Sequence, residues 1–255
     1  MGSSGNDGAS CASASLPIDF GDCPDTTTNL FTSYHNYRIT LAKDGPRHGI
    51  IPNLVFGTGV TVETNVLQNP TATGDSLDDS IGSLPLPTMV ASSTSYVLPI
   101  TVTNNTGNIV NIYAWLNFNN NGVFEGYESY KTTVQSTAAV IQTVTLTFNK
   151  PANTTILGGL NFIRMRITTN TLTNTNAGNL TLEDTRSYGP ATDGEVEDYS
   201  LYINNIMITD PKKTVDKTYV SIRDTIKYKL SILNQGSTYI VNVMIINTIL
   251  YFHIL

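Results

Sequence analysis

From residue 95 onward, apolar and polar side chains alternate with a period of two in short runs separated by turn residues. No other feature constrains the fold as strongly. Leu98, Ile100 and Val102 share one face, and Asn104-Asn105-Thr106-Gly107 then reads as a turn. Val110, Ile112, Ala114, Leu116 and Phe118 share one face of the next run. Val140, Val144, Leu146 and Phe148 follow, closed by Lys150-Pro151. Ile163, Met165 and Ile167 form a half-buried strand whose other face carries Arg164 and Arg166, and a last strand runs from about Val196 to Ile203. Short strands in this rhythm predict an all-β protein, an antiparallel β-sandwich with long irregular loops. No segment reads as a helix.

The chain divides unevenly around that block. Residues 1–17 are small and polar and read as a flexible leader. Residues 18–90 are irregular, with Gly, Pro and Asp punctuation and short strand candidates such as Ile50 to Phe56, and residues 18–204 read as one domain. A linker falls at 205–211, around Asn204-Asn205 and Asp210-Pro211. Alternation resumes at Ile226, Tyr228, Leu230 and Ile232, with Val241, Val243 and Ile245 as a further strand. An immunoglobulin-like sandwich needs about seven strands in ~100 residues. Residues 212–255 therefore read as an incomplete immunoglobulin-like β-module.

Composition supports the β reading. Apolar residues are 40% and charged residues only 13%, with Thr, Asn, Ser and Gly abundant. β-branched residues lose rotamer freedom in helices, and Asn and Ser compete for backbone hydrogen bonds there. A net charge of -6 with no basic stripe argues against nucleic-acid binding. No stretch is long and apolar enough for membrane insertion. Met1-Gly2-Ser3-Ser4-Gly5 has neither the charged nor the apolar region of a signal peptide, and the chain reads as a fragment. Cys11 and Cys23 are either unrelated thiols or a local disulfide.

Three segments could carry ion chemistry. Asn117, Asn119, Asn121, Val123, Glu125 and Glu128 occupy the ligand positions of a calcium loop of the form D-x-[DN]-x-[DN]-G-x5-E, with Asn117 in place of the first Asp and Gly122 at the turn. Calcium seeks six to eight oxygens, and Glu128 offers a carboxylate, Val123 a backbone carbonyl. The alternative is a plain hairpin built on Asn121-Gly122. The second segment is Asp193 to Tyr199. Its Glu195 and Glu197 share a face with Tyr199, Leu201 and Ile203, so they need a cation or a pairing with Arg164 or Arg166. The third is the acidic loop Asp75, Asp78 and Asp79, the weakest alone. No G-x-S-x-G, H-E-x-x-H or phosphate-binding glycine loop occurs, and His35, His48 and His253 suggest no triad. The chain is expected not to be an enzyme.

Several motifs together resemble the GEVED domain of bacterial secreted and surface proteins. Asp19-Phe20-Gly21-Asp22-Cys23-Pro24-Asp25 resembles its opening D-[FY]-G-D-A-P-D, and Arg47-His48-Gly49 its A-R-H segment. Ala72 through Asp79 resembles its acidic stretch, Ala114-Trp115-Leu116-Asn117-Phe118-Asn119 its A-W-I-D-F-N motif, and Arg164-Met165-Arg166 its R-[VM]-R. Gly194-Glu195-Val196-Glu197-Asp198-Tyr199 reads as the signature itself. Lys212 to Asn234 resembles the first half of a bacterial surface repeat of immunoglobulin-like type. The resemblance implies an extracellular or cell-surface location, tandem β-modules and calcium binding, although Asn117 and Asn121 replace acids of the family pattern.

The functional expectation is a structural or adhesive module, weakly calcium-binding, whose partners are other surface modules or cell-wall and host glycans. Two alternatives differ in class: a polysaccharide-binding module with Trp115 in its sugar platform, and an accessory domain of a secreted hydrolase.

Overall fold

In a computed structural model, residues 17–25, 36–138, 140–152, 154–204, 208–217, 219, 221 and 223–234 are described. The described strands are β1 (Ile18–Phe20), β2 (Arg47–Gly49), β3 (Leu54–Phe56), β4 (Met89–Val90), β5 (Ser95–Asn104), β6 (Val110–Leu116) and β7 (Ser129–Val134). They continue with β8 (Gln142–Asn149), β9 (Gly159–Thr168), β10 (Pro190–Ala191), β11 (Glu195–Asn204), β12 (Ile208–Val215) and β13 (Tyr228–Asn234). Two short 3-10 turns, Leu41–Lys43 and Gly126–Glu128, are the helical elements among the described residues. The all-β expectation holds.

Two sheets make the sandwich. One has the order β4-β11-β9-β6-β7 and the other β3-β5-β8. Between them lie Leu98, Ile100, Val102, Leu146 and Phe148 from one sheet and Ile112, Leu116, Ile163, Met165, Ile167 and Leu201 from the other. These are the apolar sets of the alternating pattern. Val140 is the exception, because β8 begins only at Gln142 and Val140 stays on an exposed loop. The turn after β5 forms as expected, with Asn104 Oδ1 accepting from Thr106 N at 3.1 Å and Gly107 at φ 79°. Pro99 fits within β5 because β3 pairs only Val102 to Asn104 of that strand, leaving one flank of Pro99 without a strand partner.

The central sheet is buried on both faces. A third layer covers the side away from the sandwich core, built from the N-terminal segment, the loops before β4 and β11, and a small sheet of order β1-β2-β10. Tyr113, Trp115 and Phe162 project into that layer against Cys23, Tyr37, Ile39 and Phe124. Arg164 and Arg166 project the same way and are fully buried, so the strand read as half-buried is covered on both sides. β12 and β13 pair with each other as a separate two-stranded sheet. β12 runs through Asp210-Pro211, expected to be linker. Its register breaks between Thr209 and Lys212, where Pro211 lacks an N–H to donate. The candidate strand at Val241 to Ile245 lies outside the described residues.

Candidate functional site

The signature strand β11 works as a two-sided clamp. Gly194 opens it at φ +99°, and a Cβ there would stand 1.8 Å from the Ile167 carbonyl oxygen, so only glycine fits. Asp193 accepts from Thr169 N at 2.8 Å and from the hydroxyl of Thr168 at 2.8 Å, closing the β9–β11 link. Toward the sandwich, Glu195 Oε2 accepts from Phe56 N at 2.5 Å. Glu197 Oε1 accepts from Asp79 N at 2.9 Å and Ser80 N at 3.1 Å, and its Oε2 accepts from the Tyr199 hydroxyl at 3.1 Å. Toward the third layer, Asp198 receives Arg164 through a two-pronged pair at 2.8 and 2.9 Å and also accepts from Asp22 N and Cys23 N.

Arg164 and Arg166 hold the loops that cover them. Arg164 donates to the carbonyls of Tyr37 and Ser187. Arg166 donates to the carbonyls of Arg186, Tyr188 and Gly189 and to His48 Nε2 at 2.9 Å, while His48 Nδ1 donates to the Asp193 carbonyl at 2.7 Å. Burial, and then the charge of Arg166, pushes the His48 pKa well below its ordinary value. The expected pairing of Arg164 or Arg166 with Glu195 or Glu197 is therefore wrong. Antiparallel register sets Glu197 opposite Met165 and Asp198 opposite Arg164, and cross-strand partners share a face. The glutamates thus point away from both arginines.

What the fold gathers instead is a set of buried carboxylates. Asp19, Asp22, Glu63, Asp75, Glu195 and Glu197 are each less than a tenth exposed, and Asp78 is half-buried beside them. Four of them combine one oxygen held by the backbone with a second that is buried without a partner among the described residues. Val196 N donates to Asp19 Oδ2, Phe20 N to Glu63 Oε2, Gly74 N and Asp75 N to Asp22 Oδ2, and Phe56 N to Glu195 Oε2. The second oxygens, Asp19 Oδ1, Asp22 Oδ1, Glu63 Oε1 and Glu195 Oε1, are buried without a hydrogen-bond partner among the described residues. Burial, followed by repulsion from neighbouring carboxylates, raises the pKa of Asp22 to about 7 and of Glu63 to about 8. The same causes push Asp78 up to about 12 and hold Asp19 and Glu195 well above the carboxylate range. Glu197 is raised to about 8, chiefly by burial. Among the described residues, no three acidic, His or Cys side chains are drawn up as a ready-made set around one point.

The Asn117–Glu128 loop is also brought together, with its groups turned on one another. The Nδ2 groups of Asn119 and Asn121 both donate to Glu125 Oε1, and the Oδ1 atoms of the same asparagines accept from Asn121 N and Val123 N. Glu128 accepts from Phe118 N at 2.8 Å and Glu125 N at 3.1 Å, capping the turn at Gly126. Amide donors thus stand where acids of the family pattern would present oxygens. Asn117 donates to the Tyr37 hydroxyl at 2.7 Å, and its Oδ1, with Asn120 Oδ1 and Glu125 Oε2, is buried without a partner among the described residues.

The acidic loop and the signature strand, which the sequence offered as two separate candidates, meet where Glu197 accepts from Asp79 N and Ser80 N, and Asp78 stands in the field of Asp75 and Glu197. Asp79 lies at the margin, its carboxylate accepting from the backbone N and hydroxyl of Thr58. Sequence reasoning left out Asp19, Asp22 and Glu63 as ligands. The first two stand in the opening motif and carried a signal, whereas Glu63 carried none. Trp115 is fully buried, with Nε1 donating to Asp184 Oδ2 at 3.1 Å, and so cannot form a sugar platform. Cys23 is a buried free thiol, and Cys11 lies outside the described residues. A groove of about 670 Å³ bordered by Asn119, Tyr127, Pro151, Leu157 and Thr181 has no acid, histidine or cysteine in its lining.

In this β-sandwich the charges of the signature strand are spent on anchoring loops. The family model described as the GEVED domain matches residues 111–202, spanning β6 to β11. A GEVED domain is therefore found in this part of the chain; the opening motif and the acidic loop precede the match. No curated protein matches, and no solved structure matches.

Proposed function

We propose that the chain is a non-catalytic structural module of a bacterial secreted or cell-surface protein, stabilised by calcium and working through its neighbouring modules. The observation that carries this reading is the use of Arg164, Arg166, Glu197 and Asp198. All four are buried and engaged by main-chain groups of loops rather than presented at a surface. Residues that serve chemistry need access to a substrate, whereas these are sealed in. Calcium belongs to the reading because buried side-chain oxygens stay without partners among the described residues, in the Asn117–Glu128 loop and at Asp19, Asp22, Glu63 and Glu195. The test pairs activity with stability. The purified chain is expected to be folded and resistant to protease, to bind nothing on a glycan array and to turn over no ester, peptide or glycan in a hydrolase panel. Saturable turnover that is lost in a single acid-to-amide variant would refute the reading. Specific glycan binding would replace it with a carbohydrate-binding one.

A further inference from the structure

We propose that Asp19, Asp22, Glu63 and Glu195 hold a hard divalent cation of the calcium type, between β1, the loop that follows β3 and the start of β11. The inference rests on the calcium-stabilised reading and deepens it by naming a site apart from the Asn117–Glu128 loop.

Placement comes first. Glu63 is bridged to Ile18 of β1, with its backbone N donating to the Ile18 carbonyl at 2.9 Å. Asp19 reaches the start of β11 through Val196 N, and Asp22 reaches the acidic loop through Gly74 N and Asp75 N. Three stretches far apart in sequence thus deliver carboxylates to one region. Asp19 stands within the field of Glu63, Glu195 within that of Asp19, and Glu63 within that of Asp22.

Chemistry comes second. Each of the four has one oxygen fixed by a main-chain N–H and one buried oxygen with no partner among the described residues. That is the state of a metal-ligating carboxylate whose outer hydrogen bond already orients it. Arg164 answers the charge of Asp198 through both of its carboxylate oxygens. The four oxygens, unpartnered among the described residues, stand in the field of neighbouring carboxylates and in a medium that solvates them poorly. Without a counter-ion such carboxylates stand apart, and rotation of the side chains closes them on a cation while their backbones stay in place. Oxygen-only ligands in an irregular loop setting suit calcium, which tolerates variable geometry, better than magnesium, which demands a near-ideal octahedron.

The test is calcium chloride added to the chelator-treated full chain, read by calorimetric titration and by thermal melting. Wild type is expected to bind and to gain several degrees in Tm at saturation. Glu63→Gln keeps the acceptor for Phe20 N, removes one repelling charge, and is expected to melt in chelator at or above wild type. Its calcium affinity should fall by more than about tenfold, a loss of the size that disturbing a metal site's supporting groups produces. Asp19→Asn should behave alike. Glu125→Gln, in the other loop, should leave this binding in place. The proposal is overturned if wild type shows neither heat nor a Tm shift with calcium, or if Glu63→Gln responds as wild type does. It is also overturned if Glu125→Gln alone abolishes the response, which would place the ion in the Asn117–Glu128 loop, or if magnesium stabilises as strongly as calcium.

Discussion

Replacing Arg164 by Met strips the charge from a fully buried guanidinium and leaves Asp198 buried opposite an apolar side chain. Breaking a buried ion pair by removing one partner costs about 3–5 kcal/mol. The Tyr37 and Ser187 carbonyls also lose their donor, at about 1–3 kcal/mol for each left unsatisfied. These costs overlap, but together they rival the about 5–15 kcal/mol that holds a whole domain. A loss of 3–5 kcal/mol lowers Tm by about 6–20 °C in a chain of this size. Because full removal could unfold the chain, Arg164→Lys, which keeps the charge and loses the planar fork, serves as a milder member of the series. Trp115 is the single tryptophan and is buried directly opposite Arg164 in the β6–β9 register, so urea unfolding followed by its fluorescence reports the transition directly. A double-mutant cycle with Asp198→Asn should show a coupling well above the about 0.5 kcal/mol at which separate sites are additive. The cycle of Arg166→Met with Glu197→Gln should be additive, since these side chains lie on opposite faces of the sheet. Additivity at Arg164–Asp198, or strong coupling at Arg166–Glu197, would refute the register on which the argument rests.

Three further outcomes follow from the structure. His48 is held neutral by donating to a carbonyl and accepting from Arg166, so its folded pKa lies below the unfolded value of about 6.5. The unfolded chain then binds a proton that the fold does not. The His48 contribution is intact above about pH 6.5 and lost below it, at about 1.4 kcal/mol per pH unit. The stability gap between wild type and His48→Gln should narrow by that amount in denaturation at about pH 5.5 against about pH 7.5; a gap independent of pH contradicts it. In a Glu63→Gln background, Asn117→Asp should restore a calcium-dependent Tm shift with a dissociation constant in the weak range of about 10⁻⁴–10⁻³ M, and its absence would leave the loop as a hairpin turn only. Ending the chain at Asn205 removes β12 and β13, which pair with each other. It should leave the main melting transition nearly unchanged, whereas loss of folding would show the hairpin to be part of the domain.

The sandwich was legible because β5, β6, β8 and β9 each bury one clean apolar face, and a period of two survives any loop arrangement. Two things were hidden. Alternation looks the same whether the polar face meets water or a second buried layer, so the strand carrying Arg164 and Arg166 read as half-buried although both its faces are covered. Register was the other. Glu197 sits on the face the sequence assigned to it, with Tyr199 and Leu201, yet its cross-strand neighbour depends on how β9 and β11 align, which nothing local specifies. Glu63 was invisible for a related reason. Its role comes from an isolated bridge to β1 across a long separation in sequence, not from any motif around it.

The third layer explains why so many acids lie inside a module with so few charges. A loop packed against a sheet must satisfy its backbone N–H groups without a ladder to pair them. Here carboxylates take that part: Asp198 accepts from Asp22 N and Cys23 N, Glu197 from Asp79 N and Ser80 N, and Asp22 from Gly74 N and Asp75 N. Asp25 does the same for Ile39 N and Thr40 N while paired with Lys43. A carboxylate accepts several N–H bonds where a neutral side chain accepts fewer, so it orders irregular backbone efficiently. The cost is charge. Each acid brought inside needs a counter-charge or a proton, and Arg164 and Lys43 answer for Asp198 and Asp25. For Asp19, Asp22, Glu63 and Glu195 the backbone holds one oxygen, and the other has no partner among the described residues. A cation bound there would lock the loop layer onto the sheet, and its removal should loosen that layer first. Amide hydrogen exchange in chelator should therefore rise at Phe20, Phe56, Gly74 and Val196 before the sandwich strands β5 and β8 respond.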